Sequence, residues 1–201
     1  MDDAEAALRI FGDNEVARWL SLALERVPDM SAMRLLLQQW NLDDARAPAP
    51  AGRWAVELST DARLVGGVSL LYLPPGGEDL EIGVQLAPDV WGQGLAGEAG
   101  HRVAHHAFAH DGVEEVFAVV RPTNTRAAAM ARRIGMEWVG ETDKYYDLRL
   151  HVYRLWSADL DKPPPGQPTG TGGGMKGDAG SALRIIDAPD RRSRRAQRPD
   201  R

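Results

Sequence analysis

The residues of this chain best suited to act together are six in a row, Gly92-Gln93-Gly94-Leu95-Ala96-Gly97, between a strand-like and a helix-like segment. At such a junction the unpaired N–H groups of a helix's first turn and the positive end of its dipole converge. A place of that kind can hold a pyrophosphate. Phosphate oxygens reach backbone amides only where no side chain covers them, and Gly also permits positive φ, so Gly92 and Gly94 would provide the access. Gly-rich turns are common, and the loop alone does not name its ligand.

Two familiar phosphate-binding patterns are excluded. Gly92-x-Gly94-x-x-Gly97 has the dinucleotide spacing, but three earlier strands joined as hairpins do not make a βαβ unit. No acidic residue ends a following strand about twenty residues on, which argues against a Rossmann dehydrogenase. No Gly-Lys-Ser/Thr follows the glycines, so ATP hydrolysis is unsupported.

His101, His105, His106 and His110 contain i,i+4 pairs, the spacing at which one helix face can offer two imidazoles to a metal. The chain has no Cys and shows no evident third ligand, so a partly exposed helix face is the better reading and no metal is expected. The absence of Cys also removes disulfide and thiolate chemistry. Trp91, Trp138 and Trp156 are read as packing residues, although Trp138 follows the helix that should border an acceptor cleft.

These residues need a scaffold, and the apolar periodicity supplies one. Ala4 to Phe11, Glu15 to Leu24 and Ser31 to Trp40 have helical spacing, the last capped by Asp29. Strand patterns follow over Trp54 to Leu58, Leu64 to Leu73 and Leu80 to Leu86, with a turn at Pro74 to Gly77 and Pro88 closing the third. A helix over 95–109 leads to a strand at Val116 to Val120. Asn124 and Thr125 cap a further helix reaching Ile134, with Gly135 at its C′ position. Met136 to Val139 and Leu148 to Leu155 read as final strands. Helices interleaved with strands in this order give an α+β fold, a sheet with helices on its faces.

Composition sets the outer bounds. The chain has 201 residues, 43% hydrophobic and 26% charged, which suits one domain with appendages. Through Leu160 it carries 15 basic and 24 acidic residues, and beyond that point 9 and 5. An acidic body argues against nonspecific nucleic-acid binding and would attract a cationic substrate modestly. Pro163-Pro164-Pro165 and the Gly/Pro/Thr-rich residues after them cannot bury a core, so residues 1–160 are expected to form the domain and 161–201 a disordered linker and tail. Six Arg between Arg191 and Arg201 suit a solvated tail, with contact to RNA, ribosome or an acidic partner as the alternative. The acidic start lacks a signal-peptide pattern and no apolar run would span a membrane, which makes a soluble cytoplasmic protein the default.

Taken together, Glu81-Ile-Gly-Val-Gln-Leu-Ala-Pro88, Trp91-Gly-Gln-Gly-Leu-Ala96 with Glu98-Ala99, and Pro122-x-Asn124 through Ile134-Gly-Met136 resemble the GNAT acetyltransferases. Within that family they look most like the ribosomal-protein N-terminal acetyltransferases. The resemblance extends over about residues 10–157. It implies an α/β/α layered fold with a mixed, mostly antiparallel sheet, a central parallel strand pair that splays apart and helices on both faces. It also implies acetyl-CoA as cosubstrate, with no metal. Gln85, Leu86 and Ala87 would line the pantetheine and acetyl group, Trp91, Gly92, Gln93, Gly94, Leu95 and Ala96 would hold the pyrophosphate, and Asn124 would face the coenzyme.

The chain departs from the family in places. Trp91 opens the loop where Gln or Arg is usual, Ala127 stands where Ser is frequent, and Ala131 occupies the position at which many members carry a Tyr that protonates the departing thiolate. The general acid is thus open. A member should also begin with a strand ahead of its first helix, whereas Met1 precedes the helical pattern almost immediately.

The implied reaction is direct acetyl transfer to a primary amine, either a protein N-terminus or a small molecule. An ammonium cannot attack a thioester, so a base must take its proton. Glu81 is the expected base, since strand alternation sets it on one face with Gly83 and Gln85; a strand-edge Glu is otherwise simply solvated. Tyr145 and Tyr146 are candidate acids, against ordinary packing. A noncatalytic acyl-CoA-binding module and a ribosome- or RNA-associated protein acting through its tail are the alternatives, as a monomer or homodimer.

Overall fold

Ala4, Ala7, Ile10 and Phe11 share one face at helical spacing, and they are the buried side of α1 (Ala4–Phe11). Asp13 caps α2 (Asn14–Ala17), its carboxylate accepting from the N–H groups of Glu15 and Val16 at 2.7 and 3.1 Å. Of the helical pattern expected from Glu15 to Leu24, the described residues form only this short turn of helix, and residues 21–24 lie outside the described residues. The chain then folds back on α1, with Val27 N–H donating to Phe11 O at 3.0 Å, and Leu20 and Val27 bury against Ile10 and Phe11. Asp29 caps α3 (Met30–Asp44) as expected, accepting from Ala32 N–H at 2.9 Å. The computed structural model describes residues 3–20, 25–74, 77–146, 148–162 and 181–187.

The strand patterns become β1 (Gly52–Leu58), β2 (Leu64–Tyr72) and β3 (Leu80–Leu86), an antiparallel meander. After α4 (Leu95–Phe108) come β4 (Glu115–Val120), α5 (Thr125–Arg133), β5 (Glu137–Thr142) and β6 (Leu150–Trp156). A seventh strand, β7 (Leu183–Asp187), completes a sheet of order β5-β6-β4-β3-β2-β1-β7. Every neighbouring pair is antiparallel except β3 and β4.

The helices cover both faces. Val68 and Leu70 of β2 pack with Ala99, Val103 and Ala104 of α4 in the main core. Gly67 points the other way, where a Cβ would lie 3.8 Å from Phe11 Cζ of α1. The sheet therefore lies between α1–α3 and α4–α5, the layering that alternating strand patterns require. Among the described residues no helix is long and apolar enough to cross a membrane.

The expectation for 161–201 needs correcting at residues 181–187. Leu183 to Asp187 pair antiparallel with Leu58 to Trp54, and Leu183 and Ile186 are 1% and 6% exposed. No strand precedes α1 among the described residues, and the edge of β1 is filled from the far end of the chain instead. The physical reason is that an unpaired edge presents a row of N–H and C=O groups, and the short apolar run Leu183-Arg-Ile-Ile186 can both pair with it and bury side chains. Glu98 of α4 fixes the start of the strand, its carboxylate accepting from Ser181 Oγ and from Leu183 N–H at 3.3 Å. The rest of the Gly/Pro-rich and Arg-rich segments lies outside the described residues.

Leu183→Ala is therefore expected to lower unfolding stability by about 2–4 kcal/mol, the usual cost of truncating a fully buried Leu. A solvated position would change it by about 0.5 kcal/mol or less. The urea midpoint at unchanged m-value distinguishes the two.

Candidate active site

β3 and β4 share one bridging pair, Glu81 with Phe117, and no further register pair joins them. Past that point the two strands part, and the gap becomes a cleft of about 360 Å³ lined by Glu81 to Leu86 and Ala118 to Val120. It continues onto the glycine loop and the start of α4, where Trp91, Gly92, Gly94, Leu95, Ala96 and Gly97 line it.

The loop has the geometry its glycines suggested. Gly92 and Gly94 have φ of +79° and +84°, values that L side chains rarely adopt. A Cβ on Gly92 would meet nothing within 4 Å, so the cradle is open above it. Gly94 is the N-cap of α4, which leaves the first-turn amides of that helix without intrahelical partners. Trp91 braces the loop from one side: its indole Nε1 donates to Leu86 O at 2.8 Å and the Arg126 guanidinium stacks 4.4 Å from the ring centroid.

Two residues expected in the site lie beside it. The Gln93 amide donates to Asp89 O at 3.3 Å on the exposed side of the loop. Ala87 donates its N–H to Val65 O at 2.8 Å and packs with the α1 cluster. Gln85, Leu86 and Asn124 do line the cleft. Asn124 also caps α5, its side chain accepting from Ala127 N–H at 3.1 Å.

At the opposite end, Glu81 is half-buried, with its carboxyl turned away from bulk water. Burial pushes its pKa up to about 7, against hydrogen bonds from Val119 N–H and the Tyr146 hydroxyl that favour the carboxylate. The Tyr146 Oη lies 3.5 Å from Glu81 Oε2, and burial together with the neighbouring carboxylate pushes the phenol up to about 12. Tyr146 adopts φ +59°, and this left-handed residue turns its ring into the cleft. Tyr145 goes elsewhere. Its hydroxyl donates to Asp79 Oδ2 at 2.7 Å, its ring packs with Leu73 and Leu150, and Tyr145 itself does not line the cleft. Of the two adjacent tyrosines, the structure brings only Tyr146 to Glu81.

Sequence reading missed the cations. Arg121, Arg126 and Arg133 all line the cleft, and the Arg133 stem crosses α4 so closely that a Cβ on Gly97 would sit 3.2 Å from its Cδ. Arg126 and Arg133 are two turns apart on α5, so a helical projection would have set them on one face with Met130. Trp19 and Leu20, between α2 and α3, close another side of the cleft and had no signal in the sequence. The cleft is thus bipolar, with guanidinium groups at the glycine loop and a carboxyl near pKa 7 where the strands begin to part. Such a site suits an anionic, elongated ligand at one end and an amine at the other.

Of the four histidines of α4 and the bend after it, His106 Nε2 is 3.1 Å from Pro50 O and His110 Nδ1 is 2.9 Å from His106 O. His101 and His105 instead converge on Asp161.

Comparison with known proteins agrees with this geometry. Residues 1–137 match the family described as the acetyltransferase (GNAT) domain. A Bacillus subtilis protein, uncharacterized N-acetyltransferase YoaA, is 25% identical over 144 residues, covering 71% of this chain and 78% of its own. RimJ of Mycobacterium smegmatis, solved in complex with CoA-disulfide, superposes with a TM-score of 0.64 at 18% identity over 80% of each chain. Spermidine N-acetyltransferase from Vibrio cholerae, in complex with CoA and spermine, superposes with a TM-score of 0.62 at 15% identity over 79% of this chain and 92% of that one. A seven-stranded mixed sheet splayed at its one parallel pair, a glycine loop opening α4 and a family match over most of the chain lead to one conclusion: this protein is an acetyltransferase of the GNAT family.

Proposed function

We propose that the protein transfers an acetyl group from acetyl-CoA directly to a primary amine, with Glu81 as the general base. The observation that carries this reading is the position of a carboxyl with pKa near 7 at the mouth of the β3/β4 gap. The same cleft runs on to a phosphate-type loop flanked by Arg126 and Arg133. The pantetheine would run between β3 and β4 beside Gln85 and Leu86. The pyrophosphate would sit on the amides from Gly92 to Ala96, and Asn124 would face the coenzyme.

In this scheme Glu81 takes a proton from the ammonium, directly or through one water, and the freed nitrogen pair attacks the thioester carbonyl carbon. Backbone N–H groups along the parted strand stabilise the oxyanion. The C–S bond then breaks, the electron pair leaves on sulfur, and the nitrogen gives its second proton to solvent as the amide forms. The thiolate takes a proton from the Tyr146 hydroxyl, which stays protonated over the working range, or from solvent. No covalent enzyme intermediate is needed.

The acceptor is a protein N-terminus or a small amine such as a polyamine or an aminoglycoside. The likeness to a spermidine N-acetyltransferase supports the small-amine class, and the likeness to a putative ribosomal-protein-serine acetyltransferase supports the protein class. The cytoplasm is the proposed location, since the cosubstrate is available there. The test is CoA release measured over a panel of Ser- and Ala-starting peptides, polyamines and aminoglycosides, with product mass as the second readout. One acceptor gaining a single acetyl group at an enzyme-dependent rate supports the reading. Release that no amine accelerates above thioester hydrolysis overturns it.

Arg133→Gln keeps most of the stem that covers Gly97 and removes the charge. It is expected to weaken acetyl-CoA binding about 5–30-fold, the range of one charge-assisted contact. The salt dependence of the dissociation constant in isothermal titration should become shallower at the same time.

A further inference from the structure

Three polar groups outside the cleft share a place on the far stretch of α4. His101 and His105 are one turn apart on the helix, and both Nε2 atoms point at one oxygen, Asp161 Oδ1, at 2.8 and 3.2 Å. The two imidazole rings lie edge to face with centroids 4.6 Å apart. One donor atom from each of the three residues falls within 4.8 Å of the others. His101 is half-buried, and Asp161 is exposed and follows the 3-10 turn Ser157–Asp159 that ends the β6 region.

We propose that His101, His105 and Asp161 form a binding site for a first-row divalent transition metal, with zinc as the representative ion. Four-coordinate zinc holds imidazole nitrogen and carboxylate oxygen at about 2.0–2.1 Å, which places neighbouring donor atoms about 3.3 Å apart. The two His–Asp separations of 2.8 and 3.2 Å need to open by a few tenths of an ångström, and the two imidazole nitrogens, within 4.8 Å of each other, reach their final spacing by rotation of the rings. Two imidazoles favour zinc, copper or nickel over magnesium and calcium, which prefer all-oxygen shells.

The sequence concealed this site because its third ligand is far from the helix in the chain. The i,i+4 histidines were legible, whereas Asp161 reaches them only through the packing of the β6 end against α4. Asp161 also has φ +70°, a left-handed conformation uncommon for a non-Gly residue, which here directs its carboxylate to the two imidazoles. His106 and His110 repeat the i,i+4 spacing, join no such carboxylate cluster among the described residues, and one nitrogen of each already meets a backbone carbonyl. They form an internal control.

The site is separate from the acetyl-transfer cleft, whose lining contains none of the three residues. A bound metal would fasten the last turn of the β6 region to α4, the helix that carries the glycine loop at its start. Its role would be structural, with one position left for water.

The experiment uses the full, tag-free chain stripped with EDTA and titrated with zinc chloride in a calorimeter, with magnesium chloride as a parallel run. One zinc per chain with a micromolar or tighter dissociation constant is expected, along with an unfolding midpoint raised by several degrees at saturating zinc. His101→Ala and Asp161→Ala should each weaken zinc binding at least tenfold, while the His106→Ala/His110→Ala double variant binds as the wild type does. Circular dichroism of each zinc-free variant confirms that it is folded. The proposal is overturned if folded wild type shows no stoichiometric zinc binding. It is equally overturned if magnesium competes at similar concentration, or if binding survives both single variants.

Discussion

Glu81→Gln should bind acetyl-CoA as the wild type does and lose about 10²–10⁴-fold in kcat, the range that a positioned general base supplies. The wild type should show kcat/KM rising with pH through about 7, because only the carboxylate can take the proton and burial pushes its pKa to about 7. In Glu81→Gln the limb near 7 should vanish, leaving a rise that follows the free amine fraction of the acceptor. Pre-steady-state CoA release and a pH profile taken with two amines of different pKa distinguish the two limbs. A Gln variant within about threefold of the wild type would remove Glu81 from the base role.

The same substitution has a stability signature of opposite sign. A carboxyl whose folded pKa is raised above its ordinary 4.5 favours the folded state below that value, and the benefit is lost as pH climbs through about 7. The neutral amide bears no such penalty. Glu81→Gln is thus expected to match the wild type near pH 4.5 and to become more stable above pH 7, by at most about 3 kcal/mol for a shift of this size. A protein less active and more stable at pH 8 would show that the buried carboxyl is kept for chemistry at a cost to the fold.

Gly94→Trp should abolish measurable acetyl-CoA binding, a loss of at least about 100-fold. An indole at the N-cap of α4 would cover the first-turn amides on which a pyrophosphate must lie. The substitution also forces an L residue to φ +84°, which costs about 1–2 kcal/mol by itself. Gly112 separates the two effects, since it has the same φ of +84°, lines no part of the cleft and would give a Cβ nothing to meet within 4 Å. Gly112→Trp should share the lowered urea midpoint and keep full coenzyme affinity in isothermal titration. Equal losses of affinity in both variants would point to strain, not obstruction.

Much of this molecule is legible in its sequence, and the legible part has a common character. The helix at Leu95, the caps at Asp29 and Asn124, the left-handed Gly135 and the glycine loop all follow from steric and hydrogen-bonding rules that act within a few residues. Strand alternation likewise set Glu81 toward the gap, because side-chain direction in a strand has a period of two. The rule fails in the turn at Tyr145 and Tyr146. There a left-handed residue breaks the period, and long-range contacts decide that Tyr145 packs against Leu73 while Tyr146 meets Glu81.

The remaining features depend on which distant surfaces the fold leaves open to each other. Leu183 to Asp187 are in themselves a short apolar run in a Gly- and Arg-rich tail, and they become a strand because β1 presents an unpaired edge. Arg126 and Arg133 are ordinary helix-surface cations until α5 docks beside the glycine loop, and Asp161 becomes a partner of His101 and His105 only when the end of the β6 region reaches α4. The Glu81 pKa has the same origin, since the burial that raises it is a property of the assembled fold, as are the hydrogen bonds from Val119 N–H and the Tyr146 hydroxyl that oppose it. Local sterics wrote the elements and the phosphate loop into the chain. Burial and edge pairing are sums over residues far apart in sequence, and only the assembled sheet and helices assign them.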